Sequence, residues 1–352
     1  MTQRTWAAAL AVPLFVALGF ILALTGLPFV TYAPGPSINV LGDNGDKPII
    51  GVQGHPVYRD DGQLRMTTVS VTERNARLDV FTLMKTWLSK VDAVYPFSAQ
   101  YPSTGSQKQD TREGQVEMQT SQESAVVAAL TQLGYHLHPR LKIAAVTPGM
   151  PADGQIEPGD VLLRVGGTKV NATTDVSKLI AAVPEGGSLP VVVKRGEERV
   201  KVHLTPVTKD GHRLVGVTLE PHYHFPVKVS INLSDAIGGP SAGLMFALSI
   251  YDVLTPGSLT DGNAVAGTGT IDAQGTVGEI GGIQQKIAGA HRDGAQLFLV
   301  PPGNCADALG ADRGSMRLAK ATTLTDAIAT VQAWSADHNA KLPECTADGS
   351  AS

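Results

Sequence analysis

The stretch DAIGGPSAGLMFALSIYDVL, residues 235–254, decides how the chain is read. Gly238, Gly239 and Pro240 make a tight approach, and proline suits the first turn of a helix, where its missing N–H sacrifices no hydrogen bond. Ser241 therefore falls at a helix N-terminus, where free backbone N–H groups and the helix dipole favour negative charge. Such donors suit the oxyanion that forms when a peptide carbonyl becomes tetrahedral. Leu244, Met245, Phe246, Leu248 and Ile250 make the helix apolar on most sides, so a buried, rigid helix is expected. Taken alone, the stretch fits a buried helix that merely begins beside a serine equally well.

Upstream, VKVSINL (227–233) reads as a strand. Downstream, GTGTIDAQGTVGEIGGIQQKIAGAHRDGAQLFLVP (267–301) reads as strand, turn, a helix from about Gly282, then a strand ending at Pro301. Lys286 lies on that helix, and its neighbours three and four positions away are Gly282, Ile283, Gly289 and Ala290. No carboxylate sits at helical reach. A lysine buried on such a face loses solvation, and its pKa falls from about 10.4 towards 7, where the neutral amine can take a serine proton. The plainer alternative is a lysine snorkelling along an exposed helix. Gly239 to Gly243 also fits the G-x-S-x-G elbow of α/β-hydrolases. That fold needs a strand running almost directly into the serine and a histidine after it. Here Ser234 to Pro240 intervene, and the only later histidines are His291 and His338.

The ordered set GGPSAGLMFAL, GTGTI, G-x-V-G-x-I-G-G and a K-I-A-G-A helix resembles the proteolytic domain of the Lon proteases, over about residues 213–335. Ser241 and Lys286 stand 45 residues apart, which fits that family's Ser–Lys dyad. The resemblance implies Ser241 as nucleophile, Lys286 as general base and Thr268 as the hydroxyl that orients the lysine, with Gly239 and Ala242 supporting the serine. It implies no cofactor and no metal. Two positions depart from the family pattern. Gly238 stands where an acid or asparagine is usual, with Asp235 nearby, and Gln284 replaces one of two familiar lysines, leaving a single candidate base.

Before this region, from about Leu137 to Val207, the pattern changes to short strands and tight turns. Val146 to Gly149 ends a strand, Glu157-Pro158-Gly159-Asp160 turns into the strand Val161 to Val165, and a helix covers Thr174 to Val183. Strands Leu189 to Lys194 and Arg199 to Leu204 follow. The run resembles a PDZ domain of the bacterial protease-associated kind. That implies a groove between a strand and a helix, where an extended peptide adds as an extra strand. Gly134-Tyr135-His136-Leu137 is the candidate carboxylate-binding loop, and a small sandwich without a ligand is the plainer alternative. Residues 42–120 carry no evident chemistry. Leu64 to Thr72 alternates as a half-buried strand, Ala99 to Arg112 reads as loop, and Glu113 to Leu133 reads as a helix.

Between Arg4 and Asp43 lie 38 consecutive uncharged positions, the most apolar from Trp6 to Phe29. About 20 such residues cross a bilayer core of about 30 Å. Pro13 is tolerable within a membrane helix, and Trp6 and Tyr32 suit the two interfaces. The run exceeds the apolar region of a cleaved signal peptide, about 7–15 residues, so a retained anchor is expected. Arg4 holds the short tip in the cytoplasm. Residues after about 30 are then extracytoplasmic, where Cys305 and Cys345 can pair; two unpaired thiols are the alternative. The order of segments resembles the membrane-anchored PDZ–Lon proteins of Gram-positive and actinobacterial cells.

Composition narrows the choice further. With 28 basic and 32 acidic residues the net charge is −4, so no basic surplus drives nucleic-acid binding. Two cysteines exclude a Cys₄ zinc site. No G-x-x-x-x-G-K-[ST] run occurs to hold ATP phosphates. The expected architecture is α+β. Residues 1–31 form a cytoplasmic tip and transmembrane anchor, 32–136 a connecting region, 137–210 a β-rich PDZ-like domain, 211–335 a Lon-type α+β domain, and 336–352 a polar tail. The expected function is an ATP-independent serine endopeptidase, anchored in the cell membrane by one helix. It would act on extracytoplasmic polypeptides that the PDZ-like domain selects, and form a hexamer by family analogy. The alternatives are a catalytically idle PDZ adaptor and an α/β-hydrolase-type esterase.

Overall fold

In the computed structural model, which describes residues 11–20, 26–101, 105–172, 174–234 and 236–346, the alternating stretch near Leu64 is a central sheet strand. Phe29–Asn39 (β1) and Gln63–Val71 (β2) pair antiparallel, with a register shift between Pro34 and Ser37. Pro34 and Pro36 bring no N–H to the ladder, which suits a bulge. Val80–Leu88 (α1) begins at Asp79, whose carboxylate accepts from the Phe81 and Thr82 amides. Ala93–Pro96 (β3) pairs with the free edge of β1. Gln107–Gln132 (α2) starts earlier than the sequence pattern suggests, because Ser106 caps it by accepting from the Gln109 amide. Its C-terminal half, Ala125 to Leu130, is buried, whereas its N-terminal half is largely open.

Residues 136–226 form a compact unit of their own. Its antiparallel sheet contains Arg140–Val146 (β4), Val161–Val165 (β5), Leu189–Arg195 (β6), Glu198–Leu204 (β7) and Val217–His222 (β8), in the order β7-β6-β5-β4-β8. Leu189, Val191 and Val193 alternate inward from β6 onto Ile143, Leu162 and Ile180. Val176–Ala181 (α3) is capped by Asp175. Arg195 grips the buried Asp160 with two hydrogen bonds of 2.9 and 2.8 Å, fixing the Pro158-Gly159-Asp160 turn.

The remainder of the chain returns to the first sheet. Gly243–Leu254 (α4) is buried along nearly its whole length, as its apolar circumference requires. Ala264–Gly267 (β9), Leu297–Val300 (β10) and Arg317–Lys320 (β11) extend β2 by parallel pairing. The six-stranded order is β11-β10-β9-β2-β1-β3. Ile283–Arg292 (α5) packs on it through Ile283, Ile287 and Ala290, against Ala266, Phe298 and Val300. Leu324–Ala336 (α6) starts at Thr323, which caps Asp326.

Three expectations about domain organisation change. The region 32–136 is no connector: β1, β2 and β3 are half of the sheet that carries the site, so one unit spans both ends of the chain and the other, 136–226, is inserted into it. The inserted unit runs past residue 210, because β8 closes its sheet edge. The polar tail also folds back. Leu342 is buried, the Lys320 amide donates to Pro343 O at 2.8 Å, and Cys345 is disulfide-bonded to Cys305. The expected anchor lies partly outside the described residues. Residues 11–20 are helical, and no helix among the described residues is long and apolar enough to cross a membrane.

Candidate active site

Ser241 immediately precedes Ala242, the N-cap of α4. Two contacts from α2 hold the approach to it. The Gly239 amide donates to Gly114 O at 2.9 Å, and Ser121 Oγ donates to Pro240 O at 2.8 Å. The helix then enters a space with no room for a side chain. A Cβ on Gly243 would stand 2.9 Å from Ser121 Oγ and 3.0 Å from the Ile271 amide nitrogen. The amides of Ser241 and Ala242 donate to no acceptor among the described residues, which leaves them open to an anionic oxygen. Gly239 is not so placed, since its amide is already committed to Gly114.

Lys286 sits on α5, whose first turn is set by Gly282 at φ +69°, a left-handed conformation that glycine adopts without strain. The segment before it is clamped by buried Asn304, which accepts from the Ile280 amide and donates to its carbonyl, both at 2.9 Å. The lysine is 2% exposed. Burial alone pushes its pKa down to about 7, and no carboxylate pairs with it among the described residues.

Thr268, fully buried, joins the two halves. Lys286 Nζ donates to Thr268 Oγ1 at 3.2 Å, and Thr268 Oγ1 donates to Ser241 O at 2.9 Å. The Gly269 amide also donates to Ser241 O, at 2.8 Å. Ser241 Oγ makes no hydrogen bond among the described residues. Beside this group, Val116, Thr120 and Ser121 of α2 face Pro240, Thr270 and Ile271 across a cavity of about 230 Å³.

The other sequence candidates lie elsewhere. His291 is exposed and stands against Gly314, while His338 contacts Asn263 and the Trp334 ring. Asp235 lies outside the described residues. Among the described residues no cluster of three or more His, Cys, Asp or Glu could hold a metal. Gly114, Ser121 and Asn304 are not evident from the sequence, because each bonds a backbone group and belongs to no chemical motif.

In the inserted unit, a groove of about 600 Å³ lies between α3 and β8, lined by Val176, Ile180, Leu214, Val215, Val217 and Leu219. Gly134 to Leu137 does not line it. Leu214 closes the short strand His212–Leu214, and Val215 and Gly216 lead from it into β8, the groove strand. The groove edge is built by the last strand of this unit, not by the segment that enters it.

Two family profiles match. The Lon protease (S16) C-terminal proteolytic domain matches residues 163–329, and the PDZ domain matches residues 115–205. Among curated proteins, Lon protease 1 of Herpetosiphon aurantiacus is 38% identical over 86 residues, 24% of this chain and 10% of the relative. Lon protease 1 of Sorangium cellulosum is 39% identical over 94 residues, 26% of this chain and 11% of the relative. The chain thus spans about a tenth of the length of these relatives. Among solved structures, the PDZ domain of an SdrC-like protein from Listeria innocua matches 24% of this chain and 99% of its own, with 18% identity and a TM-score of 0.22. A Lon-type proteolytic domain and a PDZ domain are both found in the chain, and the Lon matches support a serine endopeptidase.

Proposed function

We propose that the protein is an ATP-independent serine endopeptidase working through a Ser241–Lys286 dyad. The observation that carries the reading is a buried amine, poised near neutrality, tied through one threonine to the backbone of the serine. Neutral Lys286 takes the Ser241 proton as Oγ attacks the peptide carbonyl carbon. The Ser241 and Ala242 amides receive the developing oxyanion. The protonated lysine then gives its proton to the leaving amine, and water hydrolyses the acyl-serine by the same relay. The cavity beside α2, lined by Ser121, Pro240 and Ile271, offers room for a substrate side chain.

The PDZ unit in this reading presents substrate, an extended peptide pairing with the β8 edge while its apolar end enters the groove against Ile180. Anchoring by the apolar run that begins at Trp6 and ends before Leu27, with both units outside the cytoplasm, belongs to the same proposal; Leu27 and Phe29 themselves are held in the folded unit, by Leu78 and β3. It is supported by the uncharged N-terminal run and by the Cys305–Cys345 disulfide, since such bonds persist in oxidising compartments. Ring assembly, hexameric by analogy, belongs to it too, and the mass of the solubilised particle would test it.

The test is turnover of an unfolded protein, without nucleotide, by the full chain and its Ser241→Ala and Lys286→Ala variants. Cleavage and labelling by a serine-reactive probe are expected only for the wild type. Equal turnover by Ser241→Ala would remove the protease reading, leaving a PDZ adaptor on an idle scaffold.

A further inference from the structure

Helix α1 is amphipathic in the opposite sense from a core helix. None of its residues is buried. Phe81, Met84, Trp87 and Leu88 are 58%, 56%, 77% and 72% exposed. With Leu83 they follow helical spacing along one side, while Thr82, Lys85 and Thr86 take the other. A contiguous apolar face of this kind, left in water, marks an interaction surface.

Its place in the fold identifies the partner. The Leu27 amide donates to Leu78 O at 2.9 Å, and the Arg77 side chain lies against Gly26. Phe29 shares a surface groove of about 400 Å³ with Leu83, Met84, Trp87 and Val94. The start of the helix is therefore fastened at residues 26 and 27, and its apolar face borders Phe29, where the uncharged N-terminal run enters β1. Exposed Arg77, Lys85 and Lys90 accompany the apolar face. Tryptophan with basic residues at the edge of an apolar helix face is the composition that settles at a headgroup boundary.

We propose that α1 lies on the bilayer surface with its Phe81–Leu88 face sunk into the headgroup–acyl boundary, giving the proteolytic unit a second membrane contact beside its anchor. The proposal rests on the anchoring reading above. It has a consequence for catalysis, because Gln285 Nε2, one residue from Lys286, donates to Val91 O at 3.1 Å just beyond α1. Docking α1 would fix the height of the active site above the membrane and favour cleavage near it.

The test uses the full chain in phosphatidylcholine–phosphatidylglycerol vesicles, in a Trp6→Phe background whose remaining tryptophans are Trp87 and the buried Trp334. Lipids brominated high on the acyl chain are expected to cause a loss of fluorescence that disappears when Trp87→Phe is added. Flotation with the vesicles reports the anchor separately. Chain that floats while Trp87 stays unquenched overturns the α1 proposal alone; chain that does not float overturns the anchor and α1 together. Unquenched Trp87 with bismaleimide linking of Met84→Cys between chains gives the face to a second copy instead.

Discussion

Lys286 Nζ donates to Thr268 Oγ1 across 3.2 Å, with no ion-pair partner among the described residues, so one hydroxyl sets where the amine points. The same hydroxyl spends its proton on Ser241 O, which leaves it able only to accept from the lysine. Thr268→Val keeps the shape and removes both bonds. A lost hydrogen bond to a charged or titrating group is worth roughly 1.5–3 kcal/mol, which corresponds to a fall in kcat of about 10- to 100-fold. Thr268→Ser, with the hydroxyl restored, should recover most of the rate in a fluorogenic peptide assay. Equal losses in both variants would point to packing instead.

Lys286 makes a paired prediction about rate and stability. Its folded pKa is about 7 against 10.5 unfolded, so the unfolded chain binds more protons between those values and stability rises with pH across that window. Below about pH 7 the fold carries the full cost of the buried amine. Lys286→Met should abolish cleavage yet gain roughly 3–5 kcal/mol at pH 6.5. In urea titrations the gap to wild type should close as pH approaches 10.5. The kcat/KM profile of the wild type should rise through an apparent pKa near 7.

Asp252 shows the opposite linkage. It is buried on α4, and desolvation pushes its pKa up to about 6, although its carboxylate accepts from the Leu259 amide at 2.7 Å. The folded state therefore binds more protons between pH 4 and 6, and stability falls as pH rises through that range. Asp252→Asn keeps an acceptor for Leu259 without the charge. A gain of roughly 2–3 kcal/mol is expected at pH 7.5, shrinking to nothing near pH 4. A pH-independent difference would mean that packing, not ionisation, distinguishes the two.

Gly243 tests how closely α2 and α4 approach. A Cβ there stands 2.9 Å from Ser121 Oγ and 3.0 Å from backbone at Ile271. The hydroxyl can turn away, whereas the backbone cannot. Gly243→Ala should displace the Ser241 turn and lower kcat at least tenfold, a change of about 1.4 kcal/mol in barrier. Retained activity in that variant would show that the turn adjusts freely.

Much of the site is legible along the chain because its parts are local: a serine at the head of an apolar helix, and a lysine among small neighbours. The sheet that supports them is not. Alternation marks Leu64 to Thr72 as a strand but cannot name its partner, and Gln63 pairs with Ala264 two hundred residues away. That pairing passes around the inserted unit, so residues 32–136 read as a connector until the two ends meet. The groove strand is hidden for a related reason. Apolar pattern finds strands, while the order in which they join a sheet depends on chain crossings that leave no local trace. Gly114 and Ser121 are silent for a third reason, since each contributes a single hydrogen bond to backbone.

The Cys305–Cys345 disulfide closes a span of 40 residues and ties the folded-back segment beyond α6 to the core around Phe298 and Ile287. In the chain-entropy account a loop of that size stabilises by about 4 kcal/mol. Cys345→Ser, or reduction of the wild type, should therefore lower the urea midpoint, and the two should agree when both are measured under reductant. Leu342 and the Lys320–Pro343 hydrogen bond should loosen together, read as faster amide exchange along the β11 edge. The same bond bears on compartment. Protein trapped with alkylating agent directly from cells should carry no free thiol if its domains face an oxidising space. Two alkylated cysteines would take away the main structural support for an extracytoplasmic protease.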